Sequence, residues 1–156
     1  MNKELMFSHD STEWRTPLDF FLMLDEEFSF ELDAAATEEN SLCPVYFDKE
    51  DDALSDKNSW HPCKSIFINP PYGRGIGDWV AKAWHESQKG CTVVLLLPAR
   101  TDTAWFHDWV QGKAEVRFLR GRIRFSDPEG KQMAPAPFPS LLAIYRPSHQ
   151  RRFSNA

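Results

Sequence analysis

The sequence predicts one α/β domain on a mostly parallel sheet, and three observations carry that expectation. Residues 92–97 are a continuous apolar run, Thr-Val-Val-Leu-Leu-Leu, the pattern of a strand buried on both faces. A shorter run, Ser65-Ile66-Phe67-Ile68, passes directly into Asn69-Pro70-Pro71-Tyr72. Around these two, stretches with helical spacing alternate with stretches that read as strands. A chain of 156 residues suits a single domain burying roughly 68–70% of its unfolded surface.

Residues 1–13 are polar and expected to be a flexible N-terminus; the domain proper is expected over 14–147, with a basic tail over 148–156. Thr16 and Pro17 predict a helix start, Thr16 as N-cap and Pro17 at the first helical position. Leu18, Phe21 and Leu22 form the apolar stripe of that helix. Phe28, Phe30 and Leu32 alternate with Ser29 and Glu31, which predicts a strand ending at Asp33. Residues 37–64 read as an irregular acidic loop. Residues 78–89 predict a helix with Trp79, Val80, Ala83 and Trp84 inward, closed by Gly90. A second helix is expected over 102–111 with Gly112 as its stop, then strands over 116–119 and 141–145.

The second of the two apolar runs carries the chemistry. Pro70 and Pro71 lack the N–H a ladder needs and restrict the residues before them, so the chain leaves the sheet in a fixed shape just after Asn69. In open α/β sheets the carboxyl ends of the strands are where ligands bind. A planar amino group such as the exocyclic nitrogen of adenine is a poor nucleophile, its lone pair being delocalised into the ring. The Asn69 side-chain oxygen and the Pro70 carbonyl can each accept one of its N–H groups, and Tyr72 offers a face for a planar base. Asn cannot act as a base at neutral pH, so this is catalysis by orientation and hydrogen bonding. The competing reading is a proline-stiffened loop. Asp33, followed by Ala34, Ala35 and Ala36, is either a ligand-binding carboxylate at the same edge or a cap for the next turn. Asp52 could bring another carboxylate there.

Composition narrows the partners. No apolar run approaches the ~20 residues of a membrane span, residues 1–11 do not read as a signal peptide, and a cytoplasmic location is expected. Three cysteines without a CxxC pair read as reduced thiols, and the histidine spacing predicts no metal. The net charge is −5, yet residues 1–110 carry −11 and residues 111–156 carry +6. Such asymmetry points to a nucleic-acid face, with a solvated basic tail as the alternative. Arg120, Arg122 and Arg124 alternate along one face if extended, and Arg74 and Arg100 follow two other strands. These five are the candidate DNA contacts; structural pairing with Glu115, Asp127 or Glu129 is the other reading of the first three.

With Trp-x-Thr-Pro, strand-Asp-Ala-Ala, Asn-Pro-Pro-Tyr, Leu-Pro-Ala-Arg-Thr-Asp-Thr (97–103) and Gly-Arg-Ile-Arg-Phe (121–125) in that order, the chain resembles the phage-type DNA N6-adenine methyltransferases, the phage Dam family. The resemblance covers residues 14–146. It implies a compact Rossmann-like fold with helices on both faces of the sheet. It also implies S-adenosylmethionine as methyl donor and transfer to adenine N6 of a flipped base in DNA; for a phage-encoded protein the site of action is the host cytoplasm. Carried over, Asn69, Pro70, Pro71 and Tyr72 match the catalytic motif, Thr16 and Pro17 the segment beside the cofactor, and Asp33 with Ala34 the first cofactor motif. Asp52 matches the carboxylate at the cofactor's adenine. The chain departs from larger relatives in lacking Gly-x-Gly after the first strand and in having only 35 residues between Asp33 and Asn69. DNA reading is therefore expected from loops. Two other readings stand beside this one: transfer to another planar nitrogen (an RNA base or a glutamine amide), and a catalytically silent DNA-binding domain of the same fold.

Overall fold

The computed structural model describes residues 14–147, so the expectations for 1–13 and 148–156 lie outside the described residues. The chain runs through helix α1 (Leu18–Phe28), strands β1 (Leu32–Asp33), β2 (Val45–Tyr46) and β3 (Ser65–Ile68), and helix α2 (Ile76–Gln88). Strand β4 (Thr92–Pro98), a π-helical turn (Phe106–Val110), β5 (Glu115–Phe118) and β6 (Ser140–Tyr145) follow. Six strands form one sheet in the order β2-β1-β3-β4-β6-β5.

The fold is α/β, but the sheet is mixed where a mostly parallel one was expected. β1 pairs in parallel with β2 and β3, and β3 with β4; β6 runs antiparallel to both β4 and β5. Hydrophobicity cannot reveal direction, because β4 and β6 are both buried along almost their whole length and such a run reads the same either way. The sheet separates two apolar layers. Ile66, Ile68, Val93, Leu95 and Leu97 face α2 and the π-helical turn. Phe67, Val94 and Leu96 face α1. This alternation is the period-two geometry of a strand. It leaves a central pair of strands walled on both sides, which fixes where β3 must end.

Several elements differ from expectation for local reasons. The α1 stripe is Phe21, Leu24 and Phe28, while Leu18 and Leu22 are exposed. Phe28 therefore belongs to the helix, and no strand starts there. Ser29 closes α1 in a left-handed conformation, its N–H donating to the Asp25 carbonyl (2.8 Å), while the Asp25 carboxylate accepts from the Phe30 N–H (2.7 Å). Only Leu32–Asp33 remains as strand. Pro17, not Thr16, is the N-cap of α1, and no side chain caps it. Helix α2 begins at Ile76, two residues early, and includes Gly77. A Cβ on Gly77 would lie 3.3 Å from the Trp105 Cβ, so the glycine allows the π-helical segment to pack close. The second expected helix is reduced to that π-helical turn, stopped at Gly112 (φ +80°). Among the described residues no helix is long and apolar enough to cross a membrane.

Candidate active site at the carboxyl edge of the sheet

The parallel strands β1 to β4 end on one edge of the sheet, and β5 ends there too, since Phe118 and Pro98 align with the adjacent residues Leu141 and Ser140 of β6. Asp33, Asn69, Pro98 and the turn after Phe118 thus share that edge. Asp33 is paired in register with Phe67, which puts β1's last residue beside the exit of β3.

Asn69 is the first residue beyond β3 and is half-buried. Its amide nitrogen donates to the Trp14 carbonyl (2.6 Å) and to the Thr16 hydroxyl oxygen (3.1 Å). Its oxygen, Oδ1, is buried and has no partner among the described residues. Among the described residues no donor reaches the Pro70 carbonyl either. An unmade bond at a buried acceptor is unfavourable by about 1–3 kcal/mol. The two acceptors stand in consecutive residues, an arrangement that could accept from one ligand with two N–H groups. The other buried side-chain polar atoms without partners among the described residues are Arg15 Nε and Ser140 Oγ. Arg15 adjoins Thr16, and Ser140 is the register partner of Pro98. All three lie along this edge.

Tyr72 is half-buried; its hydroxyl donates to the Leu96 carbonyl (3.3 Å). Burial pushes the phenol well above its ordinary range, so it stays neutral. Its ring meets Phe138 and Phe125 edge-on, with centroids at 5.5 Å and 6.3 Å. The same two rings hold Trp14 edge-on at 5.3 Å and 5.4 Å. Arg15 and Ser126 exchange backbone hydrogen bonds of 3.3 Å and 2.9 Å. The Trp-x-Thr-Pro, Asn-Pro-Pro-Tyr and Gly-Arg-Ile-Arg-Phe segments, far apart in sequence, are thus packed into one unit.

Asp33 is 4% exposed. Desolvation pushes its carboxyl up to about 6, opposed by hydrogen bonds from the Leu42 and Ala35 N–H groups. The Leu42 bond is 3.2 Å. Both readings made from sequence hold part of the geometry: Asp33 sits at the carboxyl edge, and it also fastens the loop that follows. Ala34 is buried beside it. The carboxylate has no cationic side chain among the groups that shift it, which leaves a buried negative charge that a cationic ligand would complement. Asp52 lies in the loop after β2, exposed and with a left-handed backbone (φ 52°). Asp48, at the start of the acidic run that the sequence reads as a loop, follows β2 more closely, and its carboxylate accepts the N–H groups of Glu50 (2.9 Å) and Asp51 (3.0 Å). The acidic run is therefore a self-bonded turn.

Arg74, Arg100, Arg120, Arg122 and Arg124 are all exposed, in segments that follow β3, β4 and β5. The expected alternation holds from Arg122 to Phe125. It fails at Arg120, because Gly121 (φ +76°) turns the chain. Glu115 is occupied by Arg117 (2.9 Å) and Arg146 (3.4 Å), and Asp127 by the N–H groups of its own turn, those of Glu129 and Lys131. Among the described residues, none of the five arginines is in an ion pair. Arg122 donates to the Ala136 carbonyl (3.2 Å). Arg124 lines a groove of ≈ 390 Å³ with Pro17, Leu22 and Gln132.

A family model described as DNA N-6-adenine-methyltransferase (Dam) matches residues 6–155. A protein of Escherichia phage T1 named DNA N-6-adenine-methyltransferase is 33% identical over 122 residues, covering 78% of this chain and 50% of the phage protein. The chain spans about half the length of that curated relative. With the family model matched over residues 6–155 and a relative at 33% identity, the chain belongs to the DNA N-6-adenine-methyltransferase (Dam) family.

Proposed function

We propose that this chain transfers a methyl group from S-adenosylmethionine to N6 of adenine in DNA, on a Rossmann-like scaffold and with the target base flipped out of the helix. The observation that carries the reading is the buried Asn69 Oδ1, without a partner among the described residues, next to the open Pro70 carbonyl. These two acceptors take the two N–H groups of the adenine amine, which directs the nitrogen lone pair away from both. Tyr72, anchored through its hydroxyl and edged by Phe125 and Phe138, offers a ring for the base, a contact typically worth ~1–3 kcal/mol. S-adenosylmethionine, when bound, supplies a methyl group on a sulfonium, which is electrophilic without further activation. Asp33 with Ala34 fits its cationic end, and Pro17 and Asp52 are further candidates for its binding. The residues' work is orientation.

The experiment offers radiolabelled S-adenosylmethionine with duplex DNA, RNA and protein acceptors in parallel. Label in DNA supports the reading. Label in RNA or protein alone replaces it with one of the other planar nitrogens, and calorimetry without cofactor binding favours a silent DNA-binding domain.

DNA is proposed to dock on the arginines of the carboxyl edge, away from the acidic turn over 48–52. Arg124→Ala is the cleaner probe, since Arg122 also holds the Ala136 carbonyl. Each phosphate contact removed lowers the slope of log affinity against log salt by about 0.9 on duplex DNA. Arg124→Ala is expected to weaken DNA binding and lower that slope while sparing cofactor affinity. An unchanged slope in the Arg122→Ala, Arg124→Ala double variant assigns these arginines to structure instead.

A further inference from the structure

We propose that the Thr16 hydroxyl and the Trp14 carbonyl form a two-point clamp on the Asn69 carboxamide, making Thr16 a positioning residue for the adenine amine. The inference rests on the function proposed above and deepens it. A primary amide has two donors and one acceptor group. Both donors of Asn69 are taken on one side, by Trp14 O at 2.6 Å and Thr16 Oγ1 at 3.1 Å. A carbonyl cannot donate, so the nitrogen must lie on the Trp14 side, and Oδ1 is left as the vacant end. The terminal torsion of Asn is broad and roughly two-fold, so one contact would let the amide plane rock. Two contacts fix it.

Thr16 is free for this task because it does not cap α1. Its partner in the clamp is rigid as well: the Trp14 ring is edged by Phe125 and Phe138, and Arg15 is bonded in both directions to Ser126. The rings that support the clamp also support Tyr72. The amide acceptor and the stacking surface are thereby referred to the same frame, the geometric requirement for placing one planar base.

Thr16→Val keeps the shape and removes the acceptor; Thr16→Ser keeps the hydroxyl. The clamp predicts that Thr16→Val lowers kcat about tenfold, the scale of one hydrogen bond, with cofactor Kd unchanged and Tm lowered by only a few degrees for the Asn69 N–H left unpaired, and that Thr16→Ser restores most of the rate. It also predicts, by NMR, faster exchange of the Asn69 side-chain amide protons in Thr16→Val. Thr16→Ala repeats both measurements if Thr16→Val is poorly folded. A wild-type kcat in Thr16→Val overturns the clamp. So does a loss confined to cofactor affinity, which makes Thr16 a cofactor contact. If the wild-type chain labels no DNA, the proposed function falls, and the exchange measurement still decides the clamp: equal protection with and without the hydroxyl rejects it.

Discussion

Asn69→Ala is expected to abolish detectable methyl transfer while the methyl donor still binds. The substitution removes the vacant Oδ1 and the group that Trp14 and Thr16 hold in place, so one of the two acceptors proposed for the adenine amine is gone. Loss of a single preorganised hydrogen-bonding group at a reacting centre lowers rates by about 10²–10³. At least about a hundredfold is expected here. Cofactor affinity should be unchanged, because the proposed cofactor residues Asp33 and Ala34 are on β1 and the loop that follows it. Calorimetry of donor binding and single-turnover transfer to DNA separate the two quantities. Full activity in this variant removes Asn69 from the mechanism.

The second large effect belongs to Asp33. Asp33→Asn keeps an acceptor for the Leu42 N–H and discards the charge. A charge-assisted hydrogen bond contributes about 1.5–3 kcal/mol, so cofactor affinity is expected to fall roughly ten- to a hundredfold. Asp33→Ala should match that loss without unfolding. The value raised to about 6 already sets burial against the Leu42 and Ala35 hydrogen bonds, so what the substitution removes is a net cost of ionisation on the order of 3 kcal/mol at neutral pH.

The sign of the pH dependence follows from the raised pKa. The folded state holds this proton more tightly than the unfolded chain, so the stabilisation is complete below the unfolded value of about 3.9 and is lost as pH rises through about 6. Cofactor binding runs the other way. If the cationic ligand pairs with the ionised Asp33 carboxylate as proposed, wild-type affinity should fall about tenfold per pH unit below about 6. Asp33→Asn should flatten that dependence. Equal affinity and equal pH profiles for the two proteins would make Asp33 a fastening for the loop after β1 and nothing more.

What could be read from the sequence is what leaves a mark in side chains. Two prolines after a β-branched and aromatic run fixed the exit of β3, and the continuous apolar run of β4 marked the centre of the sheet. The reversed β6 left no mark, since a strand buried on both faces looks alike in either direction. Phe28 to Leu32 has three alternating apolar positions, which also suit the last turn of a helix whose stripe is Phe21, Leu24 and Phe28. Thr16 before Pro17 has the pattern of a cap, but its hydroxyl turns to Asn69, a contact between residues 53 apart in the chain. The Trp14 carbonyl was invisible for a simpler reason: every residue has one. The same limit applies to Arg120, whose separation from Arg122 depends on the left-handed Gly121.

The central claim is that a vacant amide oxygen and its neighbouring carbonyl receive the amino group of adenine. The most direct measurement is mass spectrometry of nucleosides from DNA digested after incubation with isotopically labelled S-adenosylmethionine, for the wild-type chain and Asn69→Ala side by side. The account predicts labelled N6-methyladenine from the wild type and none above background from the variant. Label on another base, or equal N6-methyladenine from both proteins, contradicts it.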